Sequence, residues 1–359
     1  MDTTKATQVS DTEVRDVLKI EGLKAYYHTN YFGVQREVRA VDDISLTIRS
    51  NEVYGIAGES SSGKTTLVKT FAAAIKPPLR IMDGTMEYNF GDTVIRPYEA
   101  SKAAVDEIRW KHLSYIMQGS MSVLNPVRRI KKSFEDFAFR HMGLDTQSFW
   151  DAVHAHLKHL YLPPEVLVAY PHELSGGMRQ RVTIALATVC HPEFIIADEP
   201  TTALDVVVQK DVLSTINQIR KELRSSVVFV THDMSVHANL ADRIGIMYAG
   251  RIVEEGPTKQ IFEAPKHPYT AHLVASLPQI GDKTRKPALE GKPPNLSDPP
   301  TGCRFHPRCP LAVDKCRHEA PPLVTVGLDH RSACWRSEDV RPVTAATKSG
   351  GADEGVASK

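Results

Sequence analysis

The apolar positions along this chain change period several times, and each change marks a new element. Ile44, Leu46 and Ile48 alternate with polar neighbours, the period-two signature of a strand, within a strand-rich stretch over residues 18–48. Residues 53–57 are apolar throughout and run into a glycine-rich turn, and residues 64–74 then carry helical character. A continuous apolar run this short predicts a buried strand. Residues 127–170 lack β-branched runs and carry helical patterns such as 149–160, punctuated by Pro163-Pro164, which predicts a helical insertion. Helix and apolar strand alternate afterwards, at 175–190, 194–198, 206–223 and 227–231. That alternation predicts an α/β domain built on parallel strands.

Composition sharpens this picture at the two ends. Residues 278–300 are rich in proline and charge, including Pro293-Pro294 and Pro299-Pro300, and read as a linker. A small cysteine-bearing module is expected at 301–335, followed by a flexible polar tail at 336–359. Residues 1–16 are polar and mixed in charge, unlike a secretory signal, and are expected to be disordered. The main domain is then 17–277, with a helical subdomain at 98–173. There is no internal repeat and no heptad stretch.

The formal net charge of +1 over 359 residues gives no global basic surface, so no nucleic-acid partner is expected. No stretch approaches the roughly 18–20 consecutive apolar residues of a membrane helix, so the chain is expected to fold and stay in the cytoplasm. Four of the five cysteines, Cys303, Cys309, Cys316 and Cys334, fall in the C-terminal module. In a reducing compartment such a cluster favours a metal site over disulfides. Its spacing, C-x5-C-x6-C-x17-C, supplies four thiolates without selecting a metal, and it lacks the paired C-x2-C of structural zinc. A proline follows Cys309, as it follows some cluster cysteines. Cys190 stands apart on the helix at 175–190 and is expected to be packed.

Three motifs carry chemistry. Gly58-Glu59-Ser60-Ser61-Ser62-Gly63-Lys64-Thr65 fits G-x-x-x-x-G-K-[ST] and lies between an apolar strand and a helix, where its backbone N–H groups can cradle phosphates. Lys64 adds a charge for the β- and γ-phosphates, and the Thr65 hydroxyl can ligate Mg²⁺, with Thr66 next in line. The strand ending in Asp198-Glu199 can deliver one carboxylate to Mg²⁺ and a second to the attacking water. Ser175-Gly176-Gly177, after Leu174, opens a second helix whose start can face a phosphate. The chain therefore has two such helix starts but one lysine-bearing loop, and a second chain's nucleotide would use the spare one.

Taken in order, the Lys64 loop, Gln118, Leu174 to Gly177, the Asp198-Glu199 strand, Ala203-Leu204-Asp205 and His232 resemble the ABC transporter ATPase family over residues 18–277. The resemblance implies the P-loop ABC fold, with an antiparallel β subdomain in the N-terminal part, and a head-to-tail dimer with ATP between the phosphate loop of one subunit and Ser175-Gly176-Gly177 of the other. It implies Gln118 as a lever touching Mg²⁺ and the membrane subunits, Asp205 across the dimer, His232 on the γ-phosphate and Tyr27 on adenine, with Tyr26 the fallback. Asn125-Pro126-Val127, residues 197–205, Met247-Tyr248-Ala249-Gly250, His267-Pro268-Tyr269-Thr270 and the cysteine segment further resemble the dipeptide/oligopeptide permease branch. That branch implies a 4Fe–4S cluster on Cys303, Cys309, Cys316 and Cys334, with a four-thiolate zinc site as the alternative. It also implies a homologous second ATPase, two membrane permeases and an extracellular substrate-binding protein, with this chain on the cytoplasmic face of the membrane. Oligosaccharides or nickel are alternative cargoes. Ser61 stands where the branch usually has glycine, and Gly119-Ser120 replaces a common Asp-Pro.

Other readings of the phosphate loop fare less well. Repair ATPases of the same family carry a long coiled coil between the Gln118 region and the helix start at 175, and the short gap here has no heptads. Translation-type relatives carry two cassettes in one chain. A P-loop GTPase would need an Asn-Lys-x-Asp motif, which the sequence lacks.

Overall fold

The computed structural model describes residues 14–31, 33–119, 122–202, 204–277 and 289–342. Ser120, Ala203 and most of the expectations for the termini and the linker (residues 1–13, 278–288 and 343–359) lie outside the described residues.

Two sheets organise the molecule. Strands β1 (Asp16–Tyr31), β2 (Val34–Arg49), β4 (Leu79–Asn89) and β5 (Val94–Ile95) form an antiparallel sheet in the order β2-β1-β4-β5. Ile44, Leu46 and Ile48 of β2 are all buried, as their alternation predicts. Among the described residues the second sheet has eight strands. Its centre is parallel: β6 (Leu113–Ile116), β7 (Phe194–Asp198), β8 (Ser226–Val230), β3 (Val53–Ala57) and β9 (Arg243–Tyr248) lie side by side in that order.

These central strands are mostly apolar, with polar residues such as Asp198, Ser226 and Arg243 at their ends, because both faces are covered. Tyr54, Ile56, Phe194, Ile196, Val228 and Val230 share one core with the antiparallel sheet and with Leu67, Val68 and Phe71 of α1 (Lys64–Phe71). The alternate residues, Val53, Ala57, Ile195, Ala197, Val227 and Phe229, share the other core with the helices. Those helices include α3 (Ile130–Phe137), α5 (Thr146–His159), α6 (Gly176–Thr188) and α7 (Val206–Leu223); α2 (Lys102–Lys111) instead places Ile108 in the first core, and the short α4 (Phe139–Met142) buries no residue. The expected helical region at 98–173 is not wholly helical, since it contains β6, an edge strand of the main sheet. Helix α1 ends at Phe71 rather than at residue 74 because Ala73 takes a left-handed φ of 49°, which closes a helix.

The C-terminal segment differs most from expectation. Rather than standing as a module of its own, it is joined to the main sheet. Strand β10 (Arg251–Pro257) runs antiparallel to β9; α8 (Met234–Leu240) precedes β9, and α9 (Thr258–Glu263) and α10 (Pro268–Ala275) follow β10. The free edge of β10 is covered by β12 (His330–Ser332), and β11 (Val324–Gly327) adds to that, while α11 (Lys315–His318) carries Cys316. An uncovered β10 would leave a row of backbone donors and acceptors unpaired, which sheets avoid. Charges fasten the join: His330 Nε2 lies 2.7 Å from Glu254, Arg331 Nε donates to Glu255 at 3.1 Å, and Arg304 pairs with Asp42 of β2.

Arg243 sits at the middle of this junction. It donates to Glu52 at 3.0 Å and to Glu255 at 2.5 Å, with its guanidinium 5.4 Å from the Tyr54 ring. The side chains of Arg243, Glu52 and Glu255 are 10%, 7% and 1% exposed. Removing one partner of such a network leaves buried charge uncompensated, so Arg243→Met is expected to destabilise the chain by about 3–5 kcal/mol. Urea unfolding checks this, and a loss below about 1 kcal/mol, as for a surface pair, would contradict it.

Candidate functional site: a phosphate cradle with a carboxylate at its mouth

The loop between β3 and α1 is shaped by backbone conformations that few side chains permit. Gly58 has φ 151° and Gly63 has φ 106°. A Cβ at Gly58 would lie 2.1 Å from the Met247 carbonyl oxygen, and one at Gly63 2.0 Å from that of Ala40, so both positions require glycine. Ser61 also takes the left-handed region, at φ 64°. A glycine there would adopt it without penalty.

Lys64 opens α1 and is buried, and its Nζ donates to the carbonyls of Gly58 at 2.7 Å and Glu59 at 2.8 Å. Burial lowers its pKa below the ordinary lysine value, while the nearby charges of Glu199, Asp198 and Glu59 oppose that shift. A buried ammonium ringed by backbone dipoles is a strong point attraction for a phosphate.

Strand β7 delivers the two carboxylates to different environments. Asp198 is 1% exposed; Tyr115 donates to one oxygen at 3.3 Å, and the other, Oδ1, has no hydrogen-bond partner among the described residues. Burial pushes its pKa up to about 6. An orphaned, buried carboxylate oxygen beside a phosphate cradle suits a Mg²⁺ ion or its bound water, which favours the ionised form. Thr65 and Gln118, the other residues expected at the ion, line the same cavity as the cradle.

Glu199 has left the strand, with φ 47°, a conformation that costs energy and is typical of functional sites. Three side chains hold its carboxylate: Gln118 Nε2 donates at 3.0 Å, Thr202 Oγ1 donates at 3.0 Å, and His232 Nδ1 lies 3.3 Å away. Gln118, Glu199 and His232 meet at the mouth of a cavity of about 340 Å³, lined also by Ser60, Ser61, Gly63, Lys64, Thr65 and Thr66, while Thr202 stands behind Glu199 outside the lining. Tyr27 lines it from β1, with its hydroxyl 3.2 Å from Thr66 Oγ1. Tyr26 instead turns to Asp42, so of the two tyrosines Tyr27 faces the cavity.

Ser175, Gly176, Gly177 and Asp205 are not in this lining. Ser175 caps α6 by accepting from the Met178 N–H at 3.2 Å, and Asp205 caps α7 by accepting from Val207 and Val208 at 3.1 and 3.0 Å. A Cβ on Gly177 would come within 2.6 Å of Val208, so this glycine lets the two helix starts approach. Sequence reasoning missed Leu296, which closes the cavity beside Val38 and Ala40 and whose carbonyl accepts from the Arg39 N–H at 3.0 Å. It lies in the proline-rich stretch, far from any motif, and no local pattern marks it.

The four C-terminal cysteines converge on one patch. Burial raises the pKa of the Cys309 thiol to about 12 and of Cys334 to about 11, and it raises Cys303 as well; neighbouring thiols add to each shift. Backbone N–H groups point at Cys303, Cys309 and Cys334, one of them from Arg336 to Cys334 at 3.4 Å. The donor chemistry suits a four-thiolate site. Among the described residues, however, no group of three or more His, Cys, Asp or Glu side chains stands ready to hold a metal ion.

Comparison with known proteins agrees with this geometry. Residues 41–202 match the ABC transporter family, and residues 253–316 match the oligopeptide/dipeptide transporter C-terminal region. The chain is 36% identical over 330 residues to the dipeptide transport ATP-binding protein DppD of Caldanaerobacter subterraneus, covering 91% of this chain and 99% of that relative. It is 36% identical over 305 residues to the oligopeptide transport ATP-binding protein OppD of Haemophilus influenzae, covering 84% of this chain and 93% of that one. A solved ATP-binding cassette, a dimer in a post-hydrolysis state bound to ADP and Pi, superposes with a TM-score of 0.58 at 24% identity over 67% of this chain and 98% of its own, which supports the fold. The chain is an ATPase belonging to the ATP-binding proteins of the ABC transporter family, in the dipeptide and oligopeptide branch.

Proposed function

We propose that this chain hydrolyses ATP to drive uptake of di- or oligopeptides through a membrane transporter. The observation that carries the reading is Glu199, held by Gln118, Thr202 and His232 at the mouth of a cavity walled by the phosphate loop. In this reading residues 58–65 and Thr66 bind the phosphates, Tyr27 and Leu296 flank the adenine, and Thr65, Gln118 and Asp198 hold Mg²⁺. The ion would neutralise charge on the β- and γ-phosphates. Glu199 orients and polarises the attacking water, and His232 contacts the γ-phosphate. Ser175, Gly176 and Gly177, which stand away from this chain's own cavity, serve the nucleotide of a second, homologous ATPase subunit, and Asp205 lies near that boundary.

Partners are then two permease subunits and an extracellular substrate-binding protein, with this chain peripheral on the cytoplasmic face. No helix among the described residues is long and apolar enough to cross a membrane. An apolar groove of about 420 Å³ adjoins Gln118 and is lined by Met117, Val123 and Phe137, each more than 40% exposed. That is the surface on which a permease would sense the nucleotide through Gln118. For Cys303, Cys309, Cys316 and Cys334 the same reading holds that they close on an iron–sulfur cluster, or on zinc, once metal is bound. Iron and sulfide analysis of the purified transporter distinguishes the two.

The test of cargo is ATPase stimulation in the intact transporter with its binding protein. Stimulation by di- or oligopeptides alone is expected. Stimulation by oligosaccharides or nickel alone would overturn the peptide assignment and leave the ATP site standing.

A further inference from the structure

The second residue of the phosphate loop is an acid, and this is chemically unexpected. Glu59 places a carboxylate beside a cradle that must hold a polyphosphate, and its charge reaches the Lys64 ammonium. Like charge next to an anion site weakens binding unless it is neutralised.

The neutralising group comes from the far end of the chain. Arg308, in the turn just before Cys309, sends its fork to both Glu59 oxygens, at 2.7 Å from Nη1 and 3.0 Å from Nη2. This is the bidentate geometry of the strongest arginine–carboxylate pairs. The Arg308 side chain is 5% exposed and the Glu59 side chain 26% exposed. Arg308 is itself held in place, with Nη1 donating to the Tyr248 hydroxyl at 3.2 Å and Nε donating to the Glu290 carbonyl at 3.1 Å. The Glu59 backbone N–H in turn donates to the Tyr269 hydroxyl at 2.8 Å. Tyr248, Tyr269 and Phe305 pack against one another beneath it, with ring centroids 4.6–5.5 Å apart. The pair is thus rigidly placed and mostly dry, where charge acts strongly.

We propose that Arg308 is an electrostatic positioning residue of the phosphate loop: it cancels the Glu59 charge and so sets ATP affinity from the C-terminal segment. The inference rests on residues 58–65 being the cradle. It differs from a purely structural role, in which Arg308 would only fasten the C-terminal segment to the cassette.

MgATP titration and ATPase kinetics of the full chain in its intact transporter separate the two roles. Arg308→Met is expected to weaken ATP binding about tenfold, through KM rather than through kcat at saturating ATP. Adding Glu59→Gln to it removes the uncancelled charge and is expected to bring affinity back to within about threefold of the unaltered chain. Arg308→Lys, which keeps the charge without the fork, is expected to stay within about threefold. Glu59→Gln alone shifts affinity the opposite way, tightening it about threefold, and this arm remains readable even where Arg308→Met fails to fold. Failure of Glu59→Gln to rescue Arg308→Met, or weaker binding by Glu59→Gln alone, overturns the inference. Loss of binding in Lys64→Met with none in Arg308→Met overturns this inference alone, whereas full binding in Lys64→Met removes the cradle as well.

Discussion

Glu199→Gln is expected to bind MgATP and to hydrolyse it at least about a hundredfold more slowly than the unaltered chain. Glutamine has the same shape and can still meet Gln118 and Thr202, so the mouth of the cavity should keep its form. It cannot accept a proton from water, and it removes one negative charge from beside the phosphates. Binding should therefore persist or improve while the chemical step fails, and the two are separated by titrating MgATP and timing phosphate release. Near-normal turnover would show that another group polarises the water.

Lys64→Met is expected to lose affinity itself. Hydrogen bonds to a charged group are worth about 1.5–3 kcal/mol, so ATP binding should fall roughly 10- to 100-fold. Methionine fills similar space, but it leaves the carbonyls of Gly58 and Glu59 without the donor that now joins them. Thermal unfolding of the variant in the absence of nucleotide distinguishes a damaged loop from a missing phosphate contact. Unaltered affinity in a folded variant would place the nucleotide elsewhere.

The parts of this site that could be read from sequence are those whose physics is local. A phosphate loop needs glycines and a lysine at fixed spacing, and Gly58, Gly63 and Lys64 occupy the positions where a Cβ would collide or a charge is wanted. Strand β7 and helix α7 fall on the residues their patterns predict, because one is buried on both faces and the other presents Val212, Ile216 and Ile219 to the core. What escaped the sequence depends on contacts between distant residues. Arg308 and Glu59 are 249 positions apart, Leu296 meets Arg39 through its backbone, and β12 pairs with β10 at Glu254 and Ser332. A segment read by its cysteines and prolines as a module of its own adds β12 and β11 to the edge of the main sheet. Its charged residues, Arg304, Arg308, His330 and Arg331, carry the attachment, and isolated charges show no periodicity. The same locality explains the cysteines: four thiols and their spacing were legible, while whether the side chains close on a metal was not.

The most direct measurement of the central claim is a structure of the intact transporter carrying Glu199→Gln, saturated with MgATP. The account expects ATP in the cavity between Tyr27, Leu296 and residues 58–65, with its γ-phosphate near Lys64 and covered by the opposing ATPase subunit. Ser175, Gly176 and Gly177 of this chain should face the partner's nucleotide in the same way. Nucleotide bound away from Lys64, or Ser175 to Gly177 standing clear of any phosphate in the closed complex, would contradict it.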